Sequence, residues 1–255
     1  GHLGLSLATH KCQLYSSNGI TADISTLFPP EISREPQGVI VLGTPIGEPG
    51  FCLNHWNEYL DNMEQEATAL YTVWTDNLQA AFAVFRICVQ TKLNHLLKSM
   101  PPNSTYAPDI ITRATKIIKS SLEGFLGGSH LGDLEHSDSW LQQAYLPPSM
   151  GGFGILDPSS LHLITFLAGE VAVHNNLSDL DAAKRLPPRP VPSSLQQAFD
   201  SGLINKDQFP TIDHVLSEPH KLQQRLSREH FRQLRLILGS DLNLDRHLNS
   251  CSGEA

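Results

Sequence analysis

The stretch Gly38–Gly47 reads GVIVLGTPIG and separates two kinds of sequence pattern. Its apolar run Val39–Leu42 contains β-branched residues, which favour extended backbone, and it therefore predicts a short buried strand. Gly43, Pro45 and Gly47 follow closely and predict a turn that ends this strand. Strand-like patterns precede the stretch and helical patterns follow it. The sequence thus predicts a small β element that leads into helices.

The residues before this stretch predict extended segments and a loop. Leucine alternates with small residues over 3–7, and a polar turn at Ala8–Lys11 leads to the apolar pair 14–15. This pattern fits either two extended segments or a helix end that runs into a hairpin. The prolines within Gly19–Pro36 predict that this range is an irregular loop.

The residues after the stretch have the period of an α-helix. One apolar stripe runs from Trp56 to Trp74, and a second begins after a cap at Asp76 or Asn77 and ends before Pro101-Pro102. Amphipathic helices joined by short connections must pack on one another to bury their stripes. The predicted helices cover 54–74, 78–100, 108–125 and 158–173.

Loops and linkers divide the rest of the chain. A polar loop is predicted over 127–139, a tight turn at Gly151–Gly154, and a semi-rigid linker at Leu186–Pro192, which reads LPPRPVP. The tail Asn249–Ala255 is predicted to be disordered. The sequence therefore predicts a mainly α (α+β) chain. Its expected regions are a β element over 1–50, a helical domain over 51–186, a proline-rich linker over 187–192 and a C-terminal helical segment over 193–255.

Composition limits the classes of function. The 255 residues are 40% hydrophobic and can bury a core, and the net charge of −8 argues against a chain built wholly around nucleic acid or anionic membrane. Four cysteines without a CxxC pair favour free thiols in a reducing compartment, and there is no secretion signal or membrane-length apolar run. We therefore expect an intracellular protein, nuclear or cytoplasmic, without a membrane. The opening at Gly1, in the middle of a pattern, predicts a piece of a longer reading frame.

The sequence contains no complete active site. Nucleotide-binding glycine loops, hydrolase elbows and metal-ligand spacings are missing, and no close acidic pair follows a strand. Lys11 fits either an ordinary surface lysine or a group that meets a nucleotide phosphate or donates a proton. A basic stripe in the C-terminal segment fits either a solvated helix face or a phosphate-binding face. Its members are Lys221, Arg225, Arg228, Arg232 and Arg235.

Four segments in order resemble reverse transcriptases of the non-LTR retrotransposon type. Residues 3–12 are similar to the family's GLxLN…KC segment, and Gly38–Gly47 is similar to its GIxVLGxPIG segment. Leu78–Pro102, especially RICVQ at 86–90 and KLNHLL at 92–97 before the proline pair, resembles the thumb helix that ends in HLLR and a proline pair. Gln143–Ile155, with LP at 146–147 and GGFG at 151–154, resembles the LPxxxGGLG segment that follows. Ala8 replaces the family's usual Asn, and Lys98 replaces the usual Arg.

The resemblance implies an RNA-directed DNA polymerase. Such enzymes use two metal ions, here expected to be Mg²⁺ only in a complete polymerase, on palm aspartates that precede the matched region. By resemblance, Lys11 lies near the incoming nucleotide, Val41, Leu42 and Gly43 support the primer end, and Lys92 belongs to a thumb helix that grips the template–primer. The chain alone is expected to be inactive, with its partners being template–primer nucleic acid and the upstream palm and fingers. The alternative is a non-catalytic helical interaction protein, a co-opted or decayed piece that binds protein or nucleic acid.

Overall fold

The computed structural model describes residues 8–126, 137–183, 187, 190–200, 204, 209, 211–217 and 219–238. In this part of the chain the fold is mainly α, with two small two-stranded sheets near its start, as the sequence predicts. The strands are β1 (Gln13–Leu14), β2 (Ser33–Arg34), β3 (Gly38–Val41) and β4 (Thr44–Gly47). The helices are α1 (Ala22–Thr26), α2 (Pro49–Val73), α3 (Leu78–Val84), α4 (Leu93–Ser99), α5 (Ala107–Phe125), α6 (Ser137–Tyr145), α7 (Pro158–Ala183), α8 (Ser193–Asp200), α9 (Ile212–Ser217) and α10 (Pro219–Leu238).

The prediction of a buried strand at Val39–Leu42 is wrong. Strand β3 pairs antiparallel with β4, so Gly38–Gly47 is a β-hairpin, and Pro45 lies within a strand instead of ending one. The side chains of Ile40 and Val41 are each 47% exposed and that of Leu42 is 94% exposed. A lone two-stranded hairpin has only one face that can pack on the helices, which is why an unbroken apolar run remains half in solvent.

The range Gly19–Pro36 is also more regular than predicted. It contains α1, which begins with Thr21 Oγ1 accepting a hydrogen bond from the Ile24 amide at 3.4 Å, and β2, which pairs in parallel with β1. The Arg34 guanidinium organises this range because it donates to the carbonyl oxygens of Ser25, Phe28 and Pro29, among others. These contacts of one arginine reach back up to nine residues along the chain and leave no periodic pattern in the sequence.

The predicted helices after the hairpin are confirmed, with shifted ends. Helix α2 begins five residues before Asn54, at Pro49, which is tolerated because the first turn needs no amide donor. Asn77 Oδ1 accepts a hydrogen bond from the Ala80 amide at 3.1 Å and caps α3. Between α3 and α4, Phe85–Val89 forms a π-helical turn and Gln90–Lys92 a 3₁₀ turn. The stripe predicted over 78–100 is therefore continuous in packing but irregular in backbone geometry.

Helices α2 to α6 enclose the larger of two hydrophobic cores, here called the first core. Trp56, Leu60, Phe85 and Leu93 are fully buried in it, and α5 packs against α2 through its apolar face. The turn at Gly151–Gly154 is confirmed, with Gly151 and Gly154 at positive φ. Residues 127–136 of the predicted polar loop lie outside the described residues. Helix α6 begins at Ser137, so the last three residues assigned to that loop, 137–139, are helical.

The second core joins α7 to α8, α9 and α10. Helix α7 continues ten residues beyond its predicted end at Val173, and it packs against α4 and α5 as well as against α10. Phe209, Leu222 and Leu195 are fully buried in this core. Val191, in the predicted linker, packs against it, whereas Leu186 and the tail Asn249–Ala255 lie outside the described residues. Cys12, Cys52 and Cys88 are free thiols. No helix in the described ranges is long and apolar enough to span a bilayer.

Candidate nucleic-acid interface

The tip of the hairpin is a turn formed by Leu42 and Gly43. Their φ angles are +51° and +81°, and two consecutive positive values are the pattern of the tight type I′ turn. This turn suits the twist of paired strands but disfavours an L-residue, and Leu42 is the only described non-glycine residue with positive φ. An exposed leucine is thus held in a conformation that glycine adopts more readily. This is an unusual feature that the structure maintains at the tip.

Two histidines lie at this tip: His55 of α2 bonds to it, and His95 of α4 lies beneath it with its Nε2 buried and without a hydrogen-bond partner among the described residues. His55 Nε2 lies 3.2 Å from the Gly43 carbonyl oxygen, which accepts its hydrogen bond. His95 lies under Gly43, because a Cβ atom at Gly43 would be 3.3 Å from His95 Nε2. The Trp56 indole packs edge-on between them, with ring centroids 5.3 Å from His55 and 6.0 Å from His95. The tip is therefore fixed to the first core, with Val41 and Leu42 facing solvent.

Lys92 directly precedes α4, the helix of His95, and its charge is already paired with an acidic side chain. Its carbonyl oxygen accepts a hydrogen bond from the Tyr59 hydroxyl at 3.0 Å, which ties α2 to the turn before α4. Its ammonium forms an ion pair with Glu66. Burial, followed by the charge of Glu66, raises the pKa of Tyr59, so the phenol keeps its proton. Lys92 could contact a phosphate only by exchanging Glu66 for it.

A buried glutamine joins the third and fourth resembling segments. Gln90 Nε2 donates to the carbonyl oxygens of Arg86 at 3.0 Å and Gly154 at 2.9 Å, and Gln90 Oε1 accepts from the Leu156 amide at 3.0 Å. The contact with Arg86 explains the π turn. Because the Gln90 amide bonds to the Phe85 carbonyl instead, the side chain supplies the partner that the Arg86 carbonyl would otherwise lack.

Lys11 belongs to a different element of secondary structure from the hairpin and its two histidines. Lys11 is exposed and is the last residue of a one-turn 3₁₀ helix, Thr9–Lys11. The strand that follows pairs with β2 and not with the hairpin. The resembling residues 3–7 lie outside the described part of the chain. The role of Lys11 remains a prediction.

The basic stripe lies on α10, opposite its apolar side. Leu222, Leu226 and Leu238 are buried, Arg228 and Arg232 are exposed, and Arg225 and Arg235 are partly buried. The Lys221 backbone belongs to the helix, but its side chain lies outside the described atoms.

Some of the stripe's charge is used within the protein. The Arg225 guanidinium lies 5.1 Å from the centre of the Phe209 ring, and Arg232 pairs with Glu229 at 3.0 Å. The hydrogen bond from Arg232 lowers the pKa of Glu229, which keeps that carboxylate charged. Of the stripe, Arg228 is exposed and forms no hydrogen bond or ion pair with another described residue.

Metal chemistry finds no support in the donor groups of this region. Among the described residues, no three His, Cys, Asp or Glu side chains come together in a way that could hold a metal ion. The residues that the structure describes therefore do not fit a two-metal site.

Sequence reasoning missed the side chains that fix the candidate interface. His55, His95 and Gln90 act through contacts with residues at least 12 positions away, apart from the bond between Gln90 and Arg86. His95 and Gln90 lie within a segment that resembles the family, and this resemblance is the only sequence feature that points to them. No sequence feature points to His55. Comparisons of the chain with protein-family models, with curated proteins and with solved structures find no match.

Proposed function

We propose that this chain forms the palm–thumb seam and the thumb of a reverse transcriptase of the non-LTR type, and that it positions template–primer without carrying the catalytic carboxylates. One observation carries the proposal. Three of the segments that resemble this family lie near one another in the fold: Gly43 at the hairpin tip lies over His95, and Gln90, just before the helix of His95, bonds to the turn at Gly154. The resemblance rests on sequence alone, so the proximity of these segments in the fold is a separate observation in its support.

The hairpin tip suits contact with the sugar and base of a primer end. Val41 and Leu42 offer exposed apolar surface, and the hydrogen bond from His55 to Gly43 fixes its position. Phosphate contact would come from elsewhere, because Lys92 is paired with Glu66 and α2 carries only acidic charges. Helix α10 holds five Lys or Arg residues and one Glu in a chain of net charge −8, and it is the basic element that could follow a phosphate backbone.

The substitution Leu42→Gly tests the role of the tip. We expect it to weaken binding of a fluorescently labelled RNA–DNA hybrid about tenfold, because an apolar contact at the primer end is lost. The same substitution should stabilise the protein by about 1 kcal/mol, because glycine adopts the positive φ without steric cost. Fluorescence anisotropy and urea denaturation measure the two effects.

The control for this experiment is Leu27→Ala, which removes another highly exposed leucine, 77% exposed, outside the hairpin. It should leave binding unchanged. Binding of the hybrid that is equally strong with Leu42→Gly, or no binding by the wild-type chain at low salt, would contradict the proposal.

A second candidate is a non-catalytic helical interaction protein that binds through α10. Leu236 and Ile237 are 60% and 65% exposed at the end of this helix, next to its basic stripe, which favours a partner on this surface.

The substitution Arg228→Ala tests whether that partner is a nucleic acid or a protein. Loss of one phosphate contact should reduce the slope of log K against log salt by about 0.7–0.9, and Lys116→Ala on the exposed side of α5 is the matched control. An unchanged slope in a chain that still binds through α10 would indicate a protein partner.

A further inference from the structure

Phe153, in the turn Gly151–Gly154, is an exposed aromatic residue on a fixed backbone. It is 40% exposed. Its amide donates to the Ala144 carbonyl oxygen at 3.3 Å, and its own carbonyl oxygen accepts from Arg86 Nη1 at 3.4 Å. The turn is closely packed, because a Cβ atom at Gly152 would lie 2.1 Å from a neighbouring carbonyl oxygen. The Phe153 ring is therefore presented to solvent on a support with little freedom to move.

Two other aromatic rings support the Phe153 side chain. Its ring centroid lies 6.4 Å from that of Phe82 and 5.8 Å from that of Trp140, at interplanar angles of 86° and 65°. Neither of these rings is parallel to Phe153, so no aromatic ring of the described residues is stacked on it. A fixed, exposed ring on which no other ring is stacked suits a planar ligand, because aromatic rings attract one another in offset-parallel arrangements.

The two stretches of chain that hold Phe153 carry no acidic residue. Residues 77–108 contain Arg86, Lys92 and Lys98 without an Asp or Glu, and residues 139–156 contain neither, in a chain of net charge −8. Arg86 forms no ion pair with an acidic side chain of the described residues, and its five N–H groups include donors beyond the one used by Phe153. The charge of this surface therefore favours an anionic partner.

A planar group joined to an anion is the chemistry of one nucleotide unit. Proteins bind unpaired bases by stacking them on aromatic side chains, and they bind the neighbouring phosphates through arginine. The bases inside a duplex are stacked on one another and offer no free face. A purely apolar segment of a protein would make no use of Arg86.

We propose that Phe153 is a stacking platform for an unpaired base of single-stranded nucleic acid, with Arg86 in contact with the adjacent phosphate. The inference rests on the proposed function for the class of its ligand. It adds a site for an unpaired strand that is separate from the hairpin tip.

Phe28 provides a matched control. It is also 40% exposed, and its carbonyl oxygen also accepts from an arginine, Arg34, at 3.2 Å. Phe28 contacts no other aromatic ring of the described residues, and Glu31 and Glu35 lie close to it in the sequence. The Arg34 guanidinium is occupied by further carbonyl oxygens. Phe28 thus has the exposure of Phe153 without its aromatic support or its free cation.

The experiment measures the affinity of the full chain for a fluorescently labelled single-stranded RNA of about twelve nucleotides by anisotropy. The same RNA backbone with abasic sites keeps the phosphates and lacks the bases. The wild-type chain should bind the abasic strand about tenfold more weakly, because one stacked base is lost. This comparison needs no substitution in the protein.

Substitutions then locate the effect on Phe153. Phe153→Leu should weaken binding of the intact RNA about tenfold and leave binding of the abasic strand unchanged. Phe153→Tyr, which keeps a stacking ring, and Phe28→Leu should both bind as the wild type does.

Arg86→Gln tests the phosphate contact. It should reduce the slope of log K against log salt by about 0.7 with both strands, because both retain the phosphates. An unchanged slope would contradict the role given to Arg86.

A blunt RNA–DNA hybrid separates this inference from the proposed function. Phe153→Leu should leave its binding unchanged, whereas Leu42→Gly should weaken it. No binding of single-stranded RNA, equal binding of intact and abasic strands, or unaffected binding by Phe153→Leu would refute the platform, and the proposed function would stand if Leu42→Gly still weakened hybrid binding. A loss in Phe153→Leu that Phe153→Tyr shares, or that extends to the hybrid, would also overturn the inference and would mean that the ring serves packing.

Discussion

The first and second cores differ in how their helices are held together. In the first core, polar side chains cross between elements: Tyr59 bonds to the Lys92 carbonyl, Gln90 to the 154–156 turn, and Arg113 of α5 to Asn57 and Asp61 of α2. The second core also has polar links, from Asn175 of α7 to the Leu216 carbonyl oxygen of α9 and from the Ser194 hydroxyl of α8 to Glu170 of α7, but α10 joins this core through its buried leucines. The polar links of the first core fix the backbone around the hairpin tip, whereas the second core attaches a basic helix by its apolar side.

Helix α7 contributes buried side chains to the second core and also packs against helices of the first, and this explains its sequence. It packs against α4 and α5 on one side and against α8, α9 and α10 on the other. Its apolar residues are therefore spread around the helix and do not form one stripe. His162 of α7, 7% exposed, adds a polar link, because its Nε2 lies 2.8 Å from the Met100 carbonyl oxygen at the end of α4.

The largest expected effect tests whether the two cores unfold together. Trp56→Ala in the first core should lower the free energy of unfolding by about 3–5 kcal/mol, and Leu222→Ala in the second by about 2–5 kcal/mol, because both side chains are fully buried. Since α7 packs against helices of both cores, urea denaturation should show one transition with an unchanged slope in each variant.

Trp74→Ala is the control for this pair, because Trp74 is 52% exposed, and it should change the stability by less than about 0.5 kcal/mol. Two separate transitions in either core variant would show that the cores are independent units, and would contradict the role given to α7.

A smaller effect is expected from the cross-link that is particular to the first core. Gln90→Ala removes three hydrogen bonds and leaves the Gly154 carbonyl and the Leu156 amide without their partner. We expect a loss of about 2 kcal/mol in the free energy of unfolding, with faster amide hydrogen exchange confined to the turn at 151–156. Gln79→Ala, on the exposed side of α3, should have no such effect. Equal behaviour of the two variants would refute the cross-link.

The smallest effect concerns the pH dependence of the link between the cores. Burial lowers the pKa of His162 below its ordinary value of 6.5, despite the opposing hydrogen bond to Met100. Below about pH 6.5 the histidine is protonated in the unfolded chain but remains neutral in the folded chain. The free energy of unfolding therefore falls as the pH drops below about 6.5. His162→Gln keeps a side-chain donor but cannot titrate, and its stability should fall less steeply over pH 7 to 5 in urea titrations. His230, whose pKa is also lowered, leaves part of the slope in place. Identical slopes for wild type and variant would contradict this origin.

The helices of the first core could be predicted from sequence because each buries one face. Trp56, Leu60 and Met63 recur at helical spacing, and the structure buries all three. The cap at Asn77 and the helix stop before Pro101 are local chemistry, and they too were predictable. The exposed hairpin was not predictable, because a run of β-branched residues does not specify whether one face or both faces of the strand will be buried. The length of α7 was missed for the related reason that a helix packed on two sides shows no stripe.

The sequence by itself determined the mainly helical class, the positions of the amphipathic helices and the place where the chain changes from β to α, because these depend on propensity and period within a few turns. Only the tertiary structure decided that GVIVLGTPIG is an exposed hairpin bonded to His55 and lying over His95, that Gln90 joins two distant segments, and that α7 packs against helices of both cores. These features depend on pairs of residues far apart in the chain, and no local pattern specifies which distant groups will meet once the apolar faces are buried.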